Sequence, residues 1–152
     1  LVVSTMHTNN AVGTLNRMAD MGVARYLISD AIIGVIAQRL VRKLCPHCRK
    51  KRTATDKEKL ILKRSLVEEV EIYEPGGCKL CNNTGFFGRT GVFEIMEVNE
   101  EMRKLIADDA TTEEMIAAAK KNGMHTLREN GIRYVLEGVT SIGEMLKASY
   151  EE

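Results

Sequence analysis

Two rhythms of hydrophobic and polar positions run through this chain, one with the period of a helix and one with that of a strand. Leu1-Val2-Val3 opens an apolar, β-favouring stretch, and residues 1–6 are predicted as a strand. Asn9 and Asn10 then stand where a helix is capped. Val12, Leu15, Met18 and Ala19 form an apolar stripe over about 11–21, and Gly22 follows where a glycine stop belongs. Leu27, Ile28, Ala31 and Ile32 align a second helix over 24–33. After Gly34, VIAQRLVRKL reads as a strand running into Cys45. GRTGVFEIMEV, Gly88 to Val98, is β-rich and is predicted to pair with it. Beyond residue 99 the chain turns helical. Three [ST]-x-x-E capping patterns, at Thr111/Glu114, Thr126/Glu129 and Ser141/Glu144, each precede an apolar stripe, and Gly123 and Gly138 close the first two.

Composition narrows the picture. With 152 residues and 44% hydrophobic content the chain can bury a core. Aromatics are 5% with no Trp, so that core must rest on Leu, Ile, Val and eight Met. Lys+Arg at 22 nearly balance Asp+Glu at 21, so no global field draws the chain to nucleic acid or anionic lipid. The longest apolar run, Ala31 to Ala37, is far short of the roughly 20 residues of a membrane span. No cleavable leader is recognisable, and a soluble, non-exported chain is expected.

The sharpest chemical signal is Cys45-Pro46-His47-Cys48 with Cys78-Lys79-Leu80-Cys81, spaced C-x2-C-x29-C-x2-C. Two residues between thiols let each pair curl round one ion, and two such knuckles supply the closed thiolate shell that structural zinc prefers. Pro46, Gly76, Gly77 and Gly85 provide turn residues beside them. Disulfides would need an oxidising compartment that nothing else in the sequence suggests. A rubredoxin-like iron centre, and with it an electron carrier, shares the spacing but expects aromatic packing that is scarce here. With four protein ligands no position is open to substrate, so the ion would support folding rather than catalysis.

Residues 49–77 are charge-rich and look like an insertion between the metal pairs, with a short helix expected at 56–66. Beside the first pair lie Arg39, Arg42, Lys43, Arg49, Lys50, Lys51 and Arg52, with no acid among them. Such a patch suits phosphate contacts in a free-standing zinc ribbon. It equally offsets the negative charge of four thiolates on one divalent ion, and no aromatic side chains for base stacking interleave it. His7, alone after a Ser-Thr pair, has no special chemistry on its own.

Taken together, LVVSTMHTNNA, RMADMGV, AQRLVRKLCPHC, GCKLCNNTGFFGRTGVFEIM and GMHTL followed by GVTSIGE resemble the ATPases that drive type II secretion and type IV pilus assembly. The likeness runs from residue 1 to about 145 and skips only 49–77. The four-cysteine module is typical of the secretion and pilus-extension branch. The resemblance implies an α/β fold: the remnant of a RecA-like P-loop core with its following helices (1–44), a four-Cys zinc subdomain (45–98) and a C-terminal helical bundle (99–152). It implies that His7 is the histidine of the family's histidine box, near the ATP phosphates, and that Cys45, Cys48, Cys78 and Cys81 hold zinc. It implies a homo-hexameric parent at the cytoplasmic face of the inner membrane, working on a platform protein with ATP and magnesium and without nucleic acid. In that family a Walker A loop and acidic boxes precede the histidine box, and no G-x-x-x-x-G-K-[ST] occurs in these 152 residues. The chain is therefore expected to be the C-terminal part of a longer ATPase, inactive by itself.

Overall fold

A computed structural model of the chain describes residues 1–149. It mixes helix and strand: helices α1 (Ala11–Asp20), α2 (Arg25–Ala31), α3 (Asp56–Ile61), α4 (Glu100–Ala107), α5 (Thr112–Lys121), α6 (Leu127–Leu136) and α7 (Ile142–Ser149), with strands β1 (Gly34–Leu44), β2 (Lys50–Thr53), β3 (Glu71–Glu74) and β4 (Phe86–Glu97). The fold is thus α/β in composition. Its strands form two separate pairs, β1 with β4 and β2 with β3. No helix among the described residues is long and apolar enough to cross a membrane.

By its contacts the chain forms two units, each assembled from two stretches of sequence. Leu1–Gln38 and Phe93–Leu127 form the first; Arg39–Val92 and the described residues that follow Leu127 form the second. β1 and β4 each run through both. Their pairing is antiparallel, with the Val98 N–H on the Ile33 carbonyl at one end (3.1 Å) and the Cys45 N–H on the Gly85 carbonyl at the other (2.9 Å). This is the pairing expected for the strand before Cys45.

In the first unit α1 starts where expected, the Asn10 side chain accepting the Gly13 N–H at 2.7 Å, and Gly22 follows its end at φ +90°. α2 is shorter than the 24–33 helix expected. It ends at Ala31, because Ile32 turns extended and the Ile33 carbonyl is taken by Val98. Val12, Leu15, Ile28, Met102, Ile106 and Met115 are buried together as the apolar interior of α1, α2, α4 and α5. Residues 1–6 are not the expected strand. They have no regular structure, and Leu1, Val2 and Val3 are exposed. A strand exists only by hydrogen bonding to a neighbour, and neither sheet of the described residues extends to this segment. One buried acid shapes this unit. Glu94 is 4% exposed, and its carboxylate accepts the Ala11 N–H at 2.8 Å and the Leu127 N–H at 3.1 Å, the first amides of α1 and α6.

The second unit contains the segment between the cysteine pairs, which folds as strand, helix and strand. β2 and β3 are antiparallel, Lys50 opposite Glu74 and Thr53 opposite Glu71. Between them α3 opens on a complete capping box, Thr55 with Glu58, and closes at Ile61, well short of residue 66, since Lys63 takes the left-handed region at φ +53°. Ala54, Leu62, Val70 and Ile72 pack with Ile132, Val135 and Met145 into one hydrophobic cluster. The insertion and the last two helices therefore share a core. Each alone would leave an apolar face in water.

Candidate metal centre

Local turn chemistry brings each cysteine pair into place. At the end of β1 the Cys48 and Arg49 N–H groups fold back on the Cys45 carbonyl (3.3 and 3.0 Å), a turn that Pro46 starts with its fixed φ. The second pair closes through a 3-10 turn, Lys79–Cys81, with the Asn83 N–H on the Cys78 carbonyl at 2.9 Å. Asn82 and Asn83 lie in the left-handed region at φ 50° and 59°, which Asn tolerates better than most residues. Gly85 (φ +76°) then donates its N–H to the Cys81 sulfur at 3.3 Å. A Cβ at Gly85 would stand 2.5 Å from the Pro75 Cβ, and one at Gly76 only 2.0 Å from the Cys48 carbonyl oxygen. The two knuckles touch through backbone, and glycine is what lets them.

The sulfurs of Cys45, Cys48, Cys78 and Cys81 all lie within 4.8 Å of one another. Cys45 is 3.8 Å from Cys78, and Cys81 is 3.7 Å from both Cys48 and Cys78. A tetrahedron of thiolates at about 2.3 Å from a central zinc has edges of about 3.8 Å. The four thiols are unbridged, at nearly twice a disulfide's S–S length of about 2.05 Å. The donor set and its spacing fit a four-thiolate metal ion. Cys45 and Cys81 are buried, Cys48 and Cys78 half-buried. Burial, with hydrogen bonds to the other three sulfurs, pushes the Cys48 thiol up to about 12. Burial also opposes charge on Cys81, yet hydrogen bonds, the Gly85 N–H among them, bring it down to about 6. Four clustered thiols cannot all ionise together, so an ion entering them must displace protons.

A network of polar contacts braces these knuckles against the α6–α7 turn. The Leu44 N–H donates to the Val139 carbonyl at 2.8 Å, and the Thr140 hydroxyl to the Arg42 carbonyl at 2.8 Å. The Glu144 carboxylate accepts both the Arg42 backbone N–H (3.1 Å) and its guanidinium (2.7 Å), while that guanidinium lies 4.1 Å above the Phe86 ring. The Arg42 guanidinium, working against burial, holds the Glu144 carboxyl at about 2. The Ser141/Glu144 capping pattern is thus only half realised as a cap, by the Ser141 hydroxyl on the Glu144 N–H. Arg49 donates to the Gly138 carbonyl at 2.6 Å and lies over the Tyr73 ring.

Four cations of the basic stretch find partners inside the fold. Besides Arg42 and Arg49, Lys51 pairs with Glu71 at 2.6 Å, and Arg52 lies between Glu58 (2.6 Å) and Glu74 (2.8 Å). The local sequence offered only the cations; their acids lie 6 to 102 positions away. His7 is exposed in the irregular segment before α1 and belongs to the first unit; the cysteines belong to the second. Its neighbour Thr8 is tied to α1, hydroxyl to hydroxyl with Thr14 at 2.8 Å. Glu94, Thr140 and Glu144 escaped the sequence reading as functional positions, although all three fall inside the stretches quoted above as family-like.

Comparison with known proteins places this arrangement. The family model described as "Type II/IV secretion system protein" matches residues 1–147. The chain is 41% identical over 152 residues to "Type II secretion system protein E" of Aeromonas hydrophila, covering all of this chain and 30% of that protein. It is 41% identical over 150 residues to "Type IV pilus assembly ATPase TfpB" of Acinetobacter baylyi, covering 97% of this chain and 26% of that protein. To "Type IV pilus assembly ATPase PilB" of Thermus thermophilus it is 38% identical, over 99% of this chain and 17% of that one. The chain thus spans less than a third of the length of these relatives. A match over residues 1–147, nearly the whole chain, makes this chain a member of the type II/IV secretion system protein family.

Proposed function

We propose that this chain is the zinc-stabilised C-terminal part of an ATPase that powers protein secretion or pilus assembly. The observation that carries the metal part is the four-sulfur cluster, with edges of 3.7–3.8 Å, inside a chain of this family. Zinc is the ion whose preferred donor set this is, and its contribution is to hold the knuckles closed. No step of the chemistry passes through it. The relatives named as secretion proteins and pilus ATPases, of which this chain matches a third or less, support the motor reading. In that reading a homo-hexamer at the cytoplasmic face of the inner membrane passes work to a platform protein. His7 faces the nucleotide phosphates of the assembled core. Phosphoryl transfer needs a phosphate-cradling loop and metal-holding acids around the nucleotide. With no Walker A motif in these residues, the 152-residue chain alone binds zinc and leaves ATP intact.

The engagement of Arg42, Arg49, Lys51 and Arg52 by internal acceptors supports the expectation of no nucleic-acid partner. The deciding experiment replaces Cys45 and Cys78 together by Ser in the gene of the producing organism. Loss of secreted protein or of surface pili is expected, and unchanged secretion and piliation would refute the motor reading. Elemental analysis of the purified chain checks the metal: one zinc per chain is expected, and visible absorption that bleaches on reduction would assign iron instead.

A further inference from the structure

We infer that Glu94 is a positioning residue for the His7 segment. The inference rests on the proposal that His7 faces nucleotide only for its purpose; its geometry stands independently. Glu94 is a buried carboxylate whose two oxygens accept the Ala11 N–H (2.8 Å) and the Leu127 N–H (3.1 Å). These are the leading amides of α1 and α6, so the positive ends of two helices converge on one negative charge.

Mere stability of α1 does not call for this arrangement. Asn10 already caps α1 through the Gly13 N–H, and an exposed cap would serve as well. The buried acid adds a fixed point. Ala11 lies four residues after His7, and Thr8 is bonded to Thr14 on the same helix at 2.8 Å. A short chain of contacts therefore runs from Leu127 through Glu94 and Ala11 to α1, and from Thr14 to Thr8 beside His7. The apolar start of the chain offers His7 no anchor, since Leu1, Val2 and Val3 are exposed. Rotation of α1 about its first turn is the motion that would displace His7, and Glu94 blocks that motion.

Backbone dynamics of the 152-residue chain test this without any nucleotide. In Glu94→Gln one amide oxygen can still accept, but the NH2 group confronts the second backbone donor. Hydrogen exchange at Ala11 or Leu127 should quicken about tenfold or more, with Met102 and Met115 unchanged. The nitrogen-15 order parameters of His7 and Thr8 should be close to those of α1 in the unaltered chain and should fall in the variant at the same time. Thr14→Val, which removes one hydroxyl and keeps its size, should lower order at His7 and Thr8 while Leu127 stays protected. If Glu94→Gln does not fold, Glu94→Asp, which keeps both oxygens but draws them back by one methylene from the Ala11 and Leu127 amides, takes its place with the same expected changes. His7 disordered in the unaltered chain, or as ordered in either variant as without it, would overturn the inference. A failure of the nucleotide reading is seen separately, as normal ATP turnover of the source organism's motor carrying His7→Ala.

Discussion

At Gly76 a single hydrogen decides whether the two cysteine pairs can meet. A Cβ there would lie 2.0 Å from the Cys48 carbonyl oxygen, which belongs to the backbone of the opposing knuckle and cannot swing aside. Gly76→Ala should therefore push the knuckles apart, lowering stability by about 2 kcal/mol or more and reducing bound zinc well below one per chain. Elemental analysis and urea unfolding measure both, whereas Gly88→Ala, with nothing within 4 Å of its added Cβ, should keep its metal. The acids are a second residue-scale case. Arg42 holds the Glu144 carboxyl, 10% exposed, at about 2 against an ordinary 4.5. A carboxyl depressed on folding stabilises the native state above its unfolded value and loses that contribution as the pH falls through its folded one. Glu144→Gln should then cost on the order of 2 kcal/mol at neutral pH, and the gap from the unaltered protein should close as the pH is lowered from about 4.5 toward 2. A gap that stays constant across that range would show that the charge is not what matters. These partners could not be read from the sequence. Ser141-Ile142-Gly143-Glu144 has the form of a cap, and only the approach of β1 to α7 diverts its carboxylate to Arg42.

At the scale of elements, local pattern carried most of the helices and both long strands, because capping residues, glycine stops and apolar spacing act within a few positions. Thr111 with Glu114 forms the full capping box expected. The failures came where distant chain decides. Residues 1–6 have the composition of a strand, but neither sheet of the described residues reaches them. The segment 49–77 has the charge-rich composition of an insertion, yet its apolar Leu62, Val70 and Ile72 pack with Val135 and Met145 in one core. Their spacing fits neither a helix nor a strand because they come from a helix end, a loop and a strand. The Thr55/Glu58 cap was legible and marks the true start of α3. Ile72→Ala and Met145→Ala, at positions 1% exposed, should each cost about 2–5 kcal/mol. Because the two side chains share a cluster, the double variant should lose less than the sum. Denaturant unfolding of the three variants measures the coupling, and strict additivity would place the residues in separate cores.

For the whole molecule, the cysteine spacing made the clustering of four thiols legible, while the bracing by Arg42, Arg49, Thr140 and Glu144 was hidden in long-range contacts. That bracing ties metal state to the second unit. Stripping the ion with a chelator at mildly acidic pH should expose the amides of β2, β3 and α7 to hydrogen exchange, while those of Val12, Met102 and Met115 in the first unit keep their protection. Equal loss in both units would mean that the ion supports the entire chain. With charges nearly balanced, and with Arg42, Lys51 and Arg52 paired with acids, the chain should also ignore duplex and single-stranded DNA at low salt. A mobility shift that weakens with salt would show otherwise.

The interleaving of the two units has a consequence for how fast the molecule is made. Leu1–Gln38 must wait for Phe93–Leu127 before its apolar face is covered, and Arg39–Val92 must wait for the helices after Arg128. Neither core closes on contacts local in sequence, so the search for the native arrangement carries a large loop-closure entropy and should be slow. During synthesis Leu62 and Ile72 emerge long before Val135 and Met145 exist to meet them. An early encounter of the two cysteine pairs with zinc would close the 45–81 loop ahead of that meeting, so part of the loop-closure entropy of the second unit is lost before its last helices arrive. In the zinc-bound chain proposed above, the ion would then set the order of folding as well as hold the knuckles closed.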